Sequence, residues 1–304
     1  MKRLKDQRLY TDNNYAVNRL REGIDLGVEG FDYRALNEKI TCHCYWYGNV
    51  DRKQAFSIKS FLCTQNMRKC KIILWIDTKA GFDNYYDNTY IAPLLPLIEV
   101  RYYDPVKEIQ GTPWQDQITL VDEQCDLPKR SDAFRYLILY KYGGLYFDLD
   151  VMFLKDFSDL LNIEFCYTWE DYPYANSALL NLKCGGEMVN YLLEKSILKK
   201  DVLPWTILRF DDASLEDLFV FPCAVFDPVW QGLTLEDVPY YDFTDYFKPF
   251  GEGFINKLKI QSYRQFFPGC YAYHWHNQWK SVEHTNSFFG IFEQEFNRLL
   301  RINY

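Results

Sequence analysis

Ser131 to Phe153, SDAFRYLILYKYGGLYFDLDVMF, constrains the fold more than any other stretch of the chain. In its first half Phe134, Leu137 and Ile138 have the spacing of one buried helical face, and Ser131 or Asp132 can act as N-cap. Gly143-Gly144 ends that helix with a backbone free to turn. The second half predicts one strand. In LYFDLDVMF a period of two puts Leu145, Phe147, Leu149, Val151 and Phe153 on one face and Tyr146, Asp148, Asp150 and Met152 on the other. Both carboxylates then leave the strand in the same direction. Two acids at a buried strand end repel and are costly to desolvate unless a cation or strong donors compensate them. Oxygen ligands of this kind suit magnesium or manganese.

Context, not the tripeptide, carries that inference. With 26 aspartates among 304 residues, chance alone would give roughly two Asp-x-Asp matches. Asp132 and Arg135, three apart, add an acid and a guanidinium on one helical face just before the carboxylate strand. An intrahelical ion pair beside an acidic turn is the plainer interpretation of the same residues.

Taken together, Ser131-Asp132, Arg135-Tyr136-Leu137, Tyr142-Gly143-Gly144, Tyr146 and Asp148-Leu149-Asp150 resemble the signature of glycosyltransferase family 32. That family includes alpha-1,4-galactosyl- and alpha-1,6-mannosyltransferases and capsular-polysaccharide enzymes, and its core is similar to that of glucosylating bacterial toxins. The resemblance implies an α/β chain with a GT-A fold: a Rossmann-like nucleotide-binding sheet flanked by helices, with an acceptor-side extension. It also implies a nucleotide-sugar donor, Mn2+ or Mg2+ recruited by Asp148 and Asp150, and retention of anomeric configuration. Asp132, Arg135, Asp148 and Asp150 become the expected catalytic set, with Asp132 accepting hydrogen bonds from donor-sugar hydroxyls. UDP-glucose or UDP-galactose is the preferred donor, GDP-mannose the second, and a glycan hydroxyl the acceptor. A metal-dependent nucleotide-sugar hydrolase and a non-catalytic carbohydrate-binding protein are the alternatives.

Other segments fall where the resemblance would put them. Thr41 to Gly48 reads as a first strand entering a loop, Gln54 to Gln65 as a helix, and Lys71 to Asp77 as a second strand. Trp46 sits where related enzymes stack a tryptophan on the nucleotide base; core packing is its ordinary role. Tyr271 to Lys280 holds two of the four histidines. By the resemblance this segment closes over the donor, with His274 as preferred metal ligand, Asn277 as a secondary one, His276 as the alternative, and Trp279 reaching the diphosphate. Hydrogen-bonded histidines among packed aromatics are the competing interpretation. The chain has Asn277-Gln278 where the family carries Gly-Ser. In Phe165 to Tyr174 and just beyond, Trp169, Glu170, Asp171 and Asn176 are candidates for an acceptor-contacting wall, against an acidic turn with surface aromatics. A helix resembling Gly186 to Lys195 should follow. Phe226-Asp227-Pro228 resembles a recurring Phe-Tyr-Pro segment with Asp227 replacing the aromatic, and receives no catalytic role.

Composition excludes some classes. A net charge of -8 argues against a nucleic-acid-binding surface. Nine cysteines without Cys-x-x-Cys resemble neither a disulfide framework nor a zinc ribbon. Strand alternation sends His43 away from Cys42 and Cys44, which argues against zinc there. No stretch approaches the roughly 20 apolar residues of a membrane span, so a cytoplasmic location is expected. At 48% hydrophobic, the chain can bury one large core. Residues 1–39 read as an N-terminal extension with a helix around Tyr15 to Asp25, and residues 40–304 as one catalytic domain. Its 40–155 part would bind the nucleotide sugar; 156–304 would supply the acceptor half and the C-terminal closing segment. The span from Asp83 to Asp126 is expected to be helix and irregular connection.

Overall fold

A computed structural model describes residues 13–21, 39–121, 126–156, 158–215, 217–235, 242–251 and 260–302. The expected α/β architecture is present: a seven-stranded mixed sheet flanked by helices. Strands β1 (Ile40–Trp46), β2 (Cys70–Ile76) and β3 (Glu99–Tyr102) run parallel, and β4 (Gly144–Phe147) joins β1 in parallel on its other side. Beyond β4 the sheet turns antiparallel through β7 (Ala175–Leu182) and β6 (Phe165–Thr168), and β8 (Phe219–Phe221) pairs with β6. The spatial order is β3-β2-β1-β4-β7-β6-β8.

Both sheet faces are covered, as the nearly continuous apolar run of β2 requires. On one face Ile72, Leu74 and Ile76 join Ala55, Ile58 and Phe61 of helix α2 (Arg52–Thr64). On the other, Ile73 and Trp75 join Phe134, Leu137 and Ile138 of helix α3 (Leu127–Tyr142), which packs beside α4 (Glu187–Lys199). His43 lies on this second side, opposite Cys42 and Cys44. There its Nε2 meets the Gly143 carbonyl at 3.1 Å and its Nδ1 accepts from Trp75 Nε1 at 3.1 Å. A third cluster joins helix α1 (Asn13–Arg21) to Phe56 and the apolar face of helix α5 (Phe288–Leu300). The helix expected from Tyr15 to Asp25 is thus present up to Arg21; the rest lies outside the described residues. No described helix is long and apolar enough to cross a membrane.

Three local expectations need correction. Helix α3 starts four residues before Ser131, because the Asp126 carboxylate caps it by accepting from Lys129 N at 2.9 Å, with Pro128 in the first turn. Ser131 and Asp132 therefore sit inside the helix. Nor is the acidic strand continuous. After β4, Asp148 to Asp150 form a turn, closed by Val151 N to Asp148 O at 3.3 Å, and Val151–Phe153 (β5) leaves the main sheet to pair antiparallel with Ala272–His274 (β9). The inward face survives the break, since Leu145, Phe147, Leu149, Val151 and Phe153 share one cluster. Finally, the irregular span after Asp83 contains β3, whose Glu99-Val-Arg-Tyr sequence lacks the apolar density of β1 and β2.

Gly144 permits the tight passage from helix to strand. Its φ is +94°, and a Cβ there would stand 2.0 Å from the Thr41 carbonyl oxygen, so only glycine lets β4 close against β1.

Candidate active site

Strands β1 and β4 are neighbours at the point where chain order in the sheet reverses, and ligands of open α/β sheets bind outside the carboxyl ends of strands at such a point. A cavity of about 400 Å³ lies there. It is lined by Trp46 after β1, Asp132 and Arg135 of α3, Asp148 and Asp150 after β4, and His274, His276, Asn277 and Trp279.

Asp148 belongs to the helix side. Its Oδ1 accepts from Arg135 Nη2 at 3.2 Å and from the Tyr146 hydroxyl at 2.5 Å. Arg135 is held on all sides: it donates to Ser131 Oγ and Ser177 Oγ, pairs with Asp132 Oδ1 at 3.2 Å, and lies 4.6 Å over the Tyr146 ring. The spacing of three residues brings Asp132 and Arg135 together as the sequence suggests, but inside the protein rather than on a surface. Burial pushes the Asp132 carboxyl up to about 7 despite Arg135. Asp148 is likewise raised by burial, against the pull of Arg135.

Asp150 belongs to the C-terminal side. The β5–β9 register sets His274 opposite Val151, which brings His274 Nε2 to 3.2 Å from Asp150 Oδ1. The backbone N–H of Asn277 donates to Asp150 Oδ2 at 2.8 Å. Burial opposes ionisation of Asp150, but His274 outweighs it and brings the carboxyl down to about 2. Burial equally opposes the His274 cation; Asp150, then Asp227 and Asp148, lift the imidazole to about 9. The two acids are opposite in character: Asp148 keeps 24% of its side chain accessible, Asp150 only 5%.

Aromatic rings complete the cavity. Trp46 and Trp279 approach to 4.9 Å between centroids, while Trp169 and Trp205 lie 6.4 Å apart. Trp279 Nε1 donates to Asn277 Oδ1 at 2.9 Å, so the side-chain oxygen of Asn277 is engaged there and its backbone, not its amide, reaches Asp150. Of the acceptor-wall candidates, Trp169 and Asn176 line the cavity. Glu170 and Asp171 do not: Glu170 accepts from Trp230 Nε1 at 3.2 Å and Asp171 is exposed.

Residues 56–166 match the family model for the glycosyltransferase sugar-binding region containing the DXD motif. That stretch runs from α2 to β6 and includes Asp132, Arg135, Asp148 and Asp150. A search of curated proteins finds no match. Among solved structures the chain is similar to the PaToxG glycosyltransferase, at 16% identity over 66% of this chain and 73% of that one, with TM-score 0.46. It is similar to the glycosyltransferase GlyE of Streptococcus pneumoniae TIGR4 at 16% identity over 87% of this chain, with TM-score 0.46, and spans 63% of that protein. A third is an active-site mutant of LgtC, at 14% identity over 86% of this chain and 95% of that one, with TM-score 0.45.

Three residues at this site have no role in the sequence analysis. Asp227 is buried behind the histidines and bonded to His276 Nε2. Lys53, also buried, donates to the carbonyls of Gln278 at 2.7 Å, Trp279 at 3.0 Å and Ser281 at 2.5 Å, and so fixes the segment that carries Trp279. Trp205, 45% exposed, faces the cavity from a short helical turn at Pro204–Ile207. A lone acid in the apolar run Val225 to Val229 was the signal for Asp227; Lys53 and Trp205 carried none.

Proposed function

We propose that the chain is a metal-dependent, retaining glycosyltransferase of the GT-A type, resembling family 32. It would move a hexose from UDP-glucose or UDP-galactose to a glycan hydroxyl, with GDP-mannose as the competing donor. The observation that carries this is the convergence of Asp132, Arg135, Asp148, Asp150 and His274 on one cavity lined by tryptophans. The match of residues 56–166 to the DXD-containing sugar-binding region supports it.

The residues fit a divalent cation. Asp150 Oδ1 and His274 Nε2 are 3.2 Å apart at the cavity wall, and a carboxylate with an imidazole suits manganese. Such an ion would neutralise charge growing on the departing diphosphate. Arg135 adds a fixed cation on the opposite side, held by Asp132, Asp148 and two serines so that it needs no reorganisation. Asp132 would accept from a donor hydroxyl, and the paired indoles of Trp46 and Trp279 offer ring faces to a base. Trp169, Asn176 and Trp205 would meet the acceptor.

Among the described residues lining the cavity, the carboxylates are Asp132, Asp148 and Asp150, and each is bonded to Arg135 or His274. Such acids are poor nucleophiles for a double displacement. This favours attack from the leaving-group side: the bond from the anomeric carbon to the diphosphate breaks, the acceptor oxygen bonds that carbon, and its proton passes to a phosphate oxygen. The test is product analysis with UDP-glucose, UDP-galactose and GDP-mannose, with and without Mn2+, against a panel of mono- and oligosaccharides. Metal-dependent transfer from one donor is expected. Free sugar released equally without acceptor would replace the transferase with a hydrolase, and no turnover of any donor would contradict both.

A further inference from the structure

We propose that Asp227 is a positioning residue, which from behind the cavity orients His276 and His274 so that His274 presents Nε2 beside Asp150 to a divalent cation. The inference rests on the functional reading in one respect, that a cation binds at Asp150 and His274.

Asp227 is 1% exposed and follows the short turn Cys223–Val225, with its own N–H bonded to Cys223 O at 2.8 Å. Its Oδ2 is bonded to His276 Nε2 and lies 3.8 Å from His274 Nδ1. The two imidazoles are stacked, with centroids 3.8 Å apart and an interplanar angle of 26°. His276 is boxed by Trp230 at 4.4 Å and Phe243 at 4.6 Å, and its φ of +44° holds the backbone in the left-handed region. A side chain fixed this firmly, at a backbone conformation costly for histidine, is an anchor for the ring stacked on it.

Asp227, His274 and His276 each offer a ligand atom within 4.8 Å of the others, so the three could chelate an ion by themselves. Access argues otherwise. Asp150, His274 and His276 line the cavity, whereas Asp227 does not. An ion drawn from solvent to sit beside a diphosphate meets Asp150 and His274 Nε2 first, and Asp227 stands behind the rings. A carboxylate behind a ligating histidine fixes its tautomer and raises its basicity. His274 Nδ1 meets the Tyr167 hydroxyl at 3.2 Å with Asp227 beyond, so a cation that replaced the proton between Nε2 and Asp150 would leave the Nδ1 proton directed at these two oxygens. Among the described residues, Asp227 Oδ1 has no hydrogen-bond partner. A buried carboxylate left half-satisfied weakens the fold, which is understandable if its second oxygen serves the site.

The test is Asp227→Asn, which keeps the shape and removes the charge, titrated with Mn2+ by electron paramagnetic resonance in the full chain. Mn2+ affinity is expected to fall about tenfold to hundredfold. In parallel, histidine-nitrogen NMR of the parent chain with Zn2+ as diamagnetic probe should show His274 ligated through Nε2 with Nδ1 still protonated. Asp227→Asn binding Mn2+ within twofold of the parent would overturn the inference. So would a metal on His276 or on His274 Nδ1, a result that does not depend on the variant folding. A parent chain that binds no Mn2+ would instead remove the functional reading, and this inference with it.

Discussion

Asp148 and Asp150 stand two residues apart in sequence but are held by different parts of the molecule. Asp148 is fixed by Arg135 and Tyr146, so its surroundings are complete once α3 and β4 have packed. Asp150 is fixed by His274 and the Asn277 N–H, which arrive more than a hundred residues later and only through β9 pairing with β5. The acidic tripeptide is therefore a junction and not a symmetric pair of ligands. One acid reports on the packing of α3 against β4, the other on whether the C-terminal segment is docked.

The sharpest challenge to this contrast is to neutralise each acid in turn. Asp150→Asn is expected to lower transfer about a thousandfold through loss of the cation site, and Asp148→Asn roughly tenfold less severely, because Arg135 remains. Equal losses in kcat would erase the distinction. Removing the cation that organises the helix side, Arg135→Met, should cost about 3–5 kcal/mol in urea unfolding, since Asp132 would be left buried without its charged partner and Asp148 with only the Tyr146 hydroxyl. A loss under 1 kcal/mol would mean that water already screens both acids.

A pH series tests the helix side separately. Asp132, pushed up to about 7 by burial, ionises at a cost in the folded state. Between its ordinary value near 4 and about 7 the folded protein therefore holds a proton the unfolded chain has released, and stability falls as pH rises through that window. Asp132→Asn should remove this slope, so that the two stability curves diverge across the window by at most roughly 4 kcal/mol. A parallel pair of stability curves for parent and variant from pH 4 to 8 would refute the burial argument. The smallest effect is expected on the C-terminal side, where Lys53→Met leaves three carbonyls without their donor. It should cost about 1–3 kcal/mol and raise the donor KM more than it lowers kcat, because Trp279 is loosened while the acids stay in place. An unchanged KM would show that the closing segment needs no clamp.

Periodicity made β1, β2, α2 and the α3–β4 unit legible because each is an apolar pattern that pays no regard to distant partners. The in-register faces of Leu145 to Phe153 were readable for the same reason. The break at Asp148 to Asp150 was not, because it depends on β9, whose pairing partner cannot be read from three residues of strand. Ser131 and Asp132 have the same capping chemistry as Asp126, and Pro128 in the first turn decides for the earlier start. Glu170 and Asp171 were plausible wall residues by composition, yet the left-handed turn at Glu170, with φ of +51°, aims the acid at Trp230. Asp227 and Lys53 act on backbone or side chains more than forty residues away. Contacts of that range leave no local pattern.

The most direct measurement is the shift in melting temperature on adding UDP or GDP, each with and without Mn2+, to the parent chain and to Asp150→Asn. A ligand that binds only the folded state must raise the midpoint. The account predicts a Mn2+-dependent rise with one nucleotide in the parent and its loss in Asp150→Asn. A rise independent of Mn2+, or one that survives in Asp150→Asn, would contradict it.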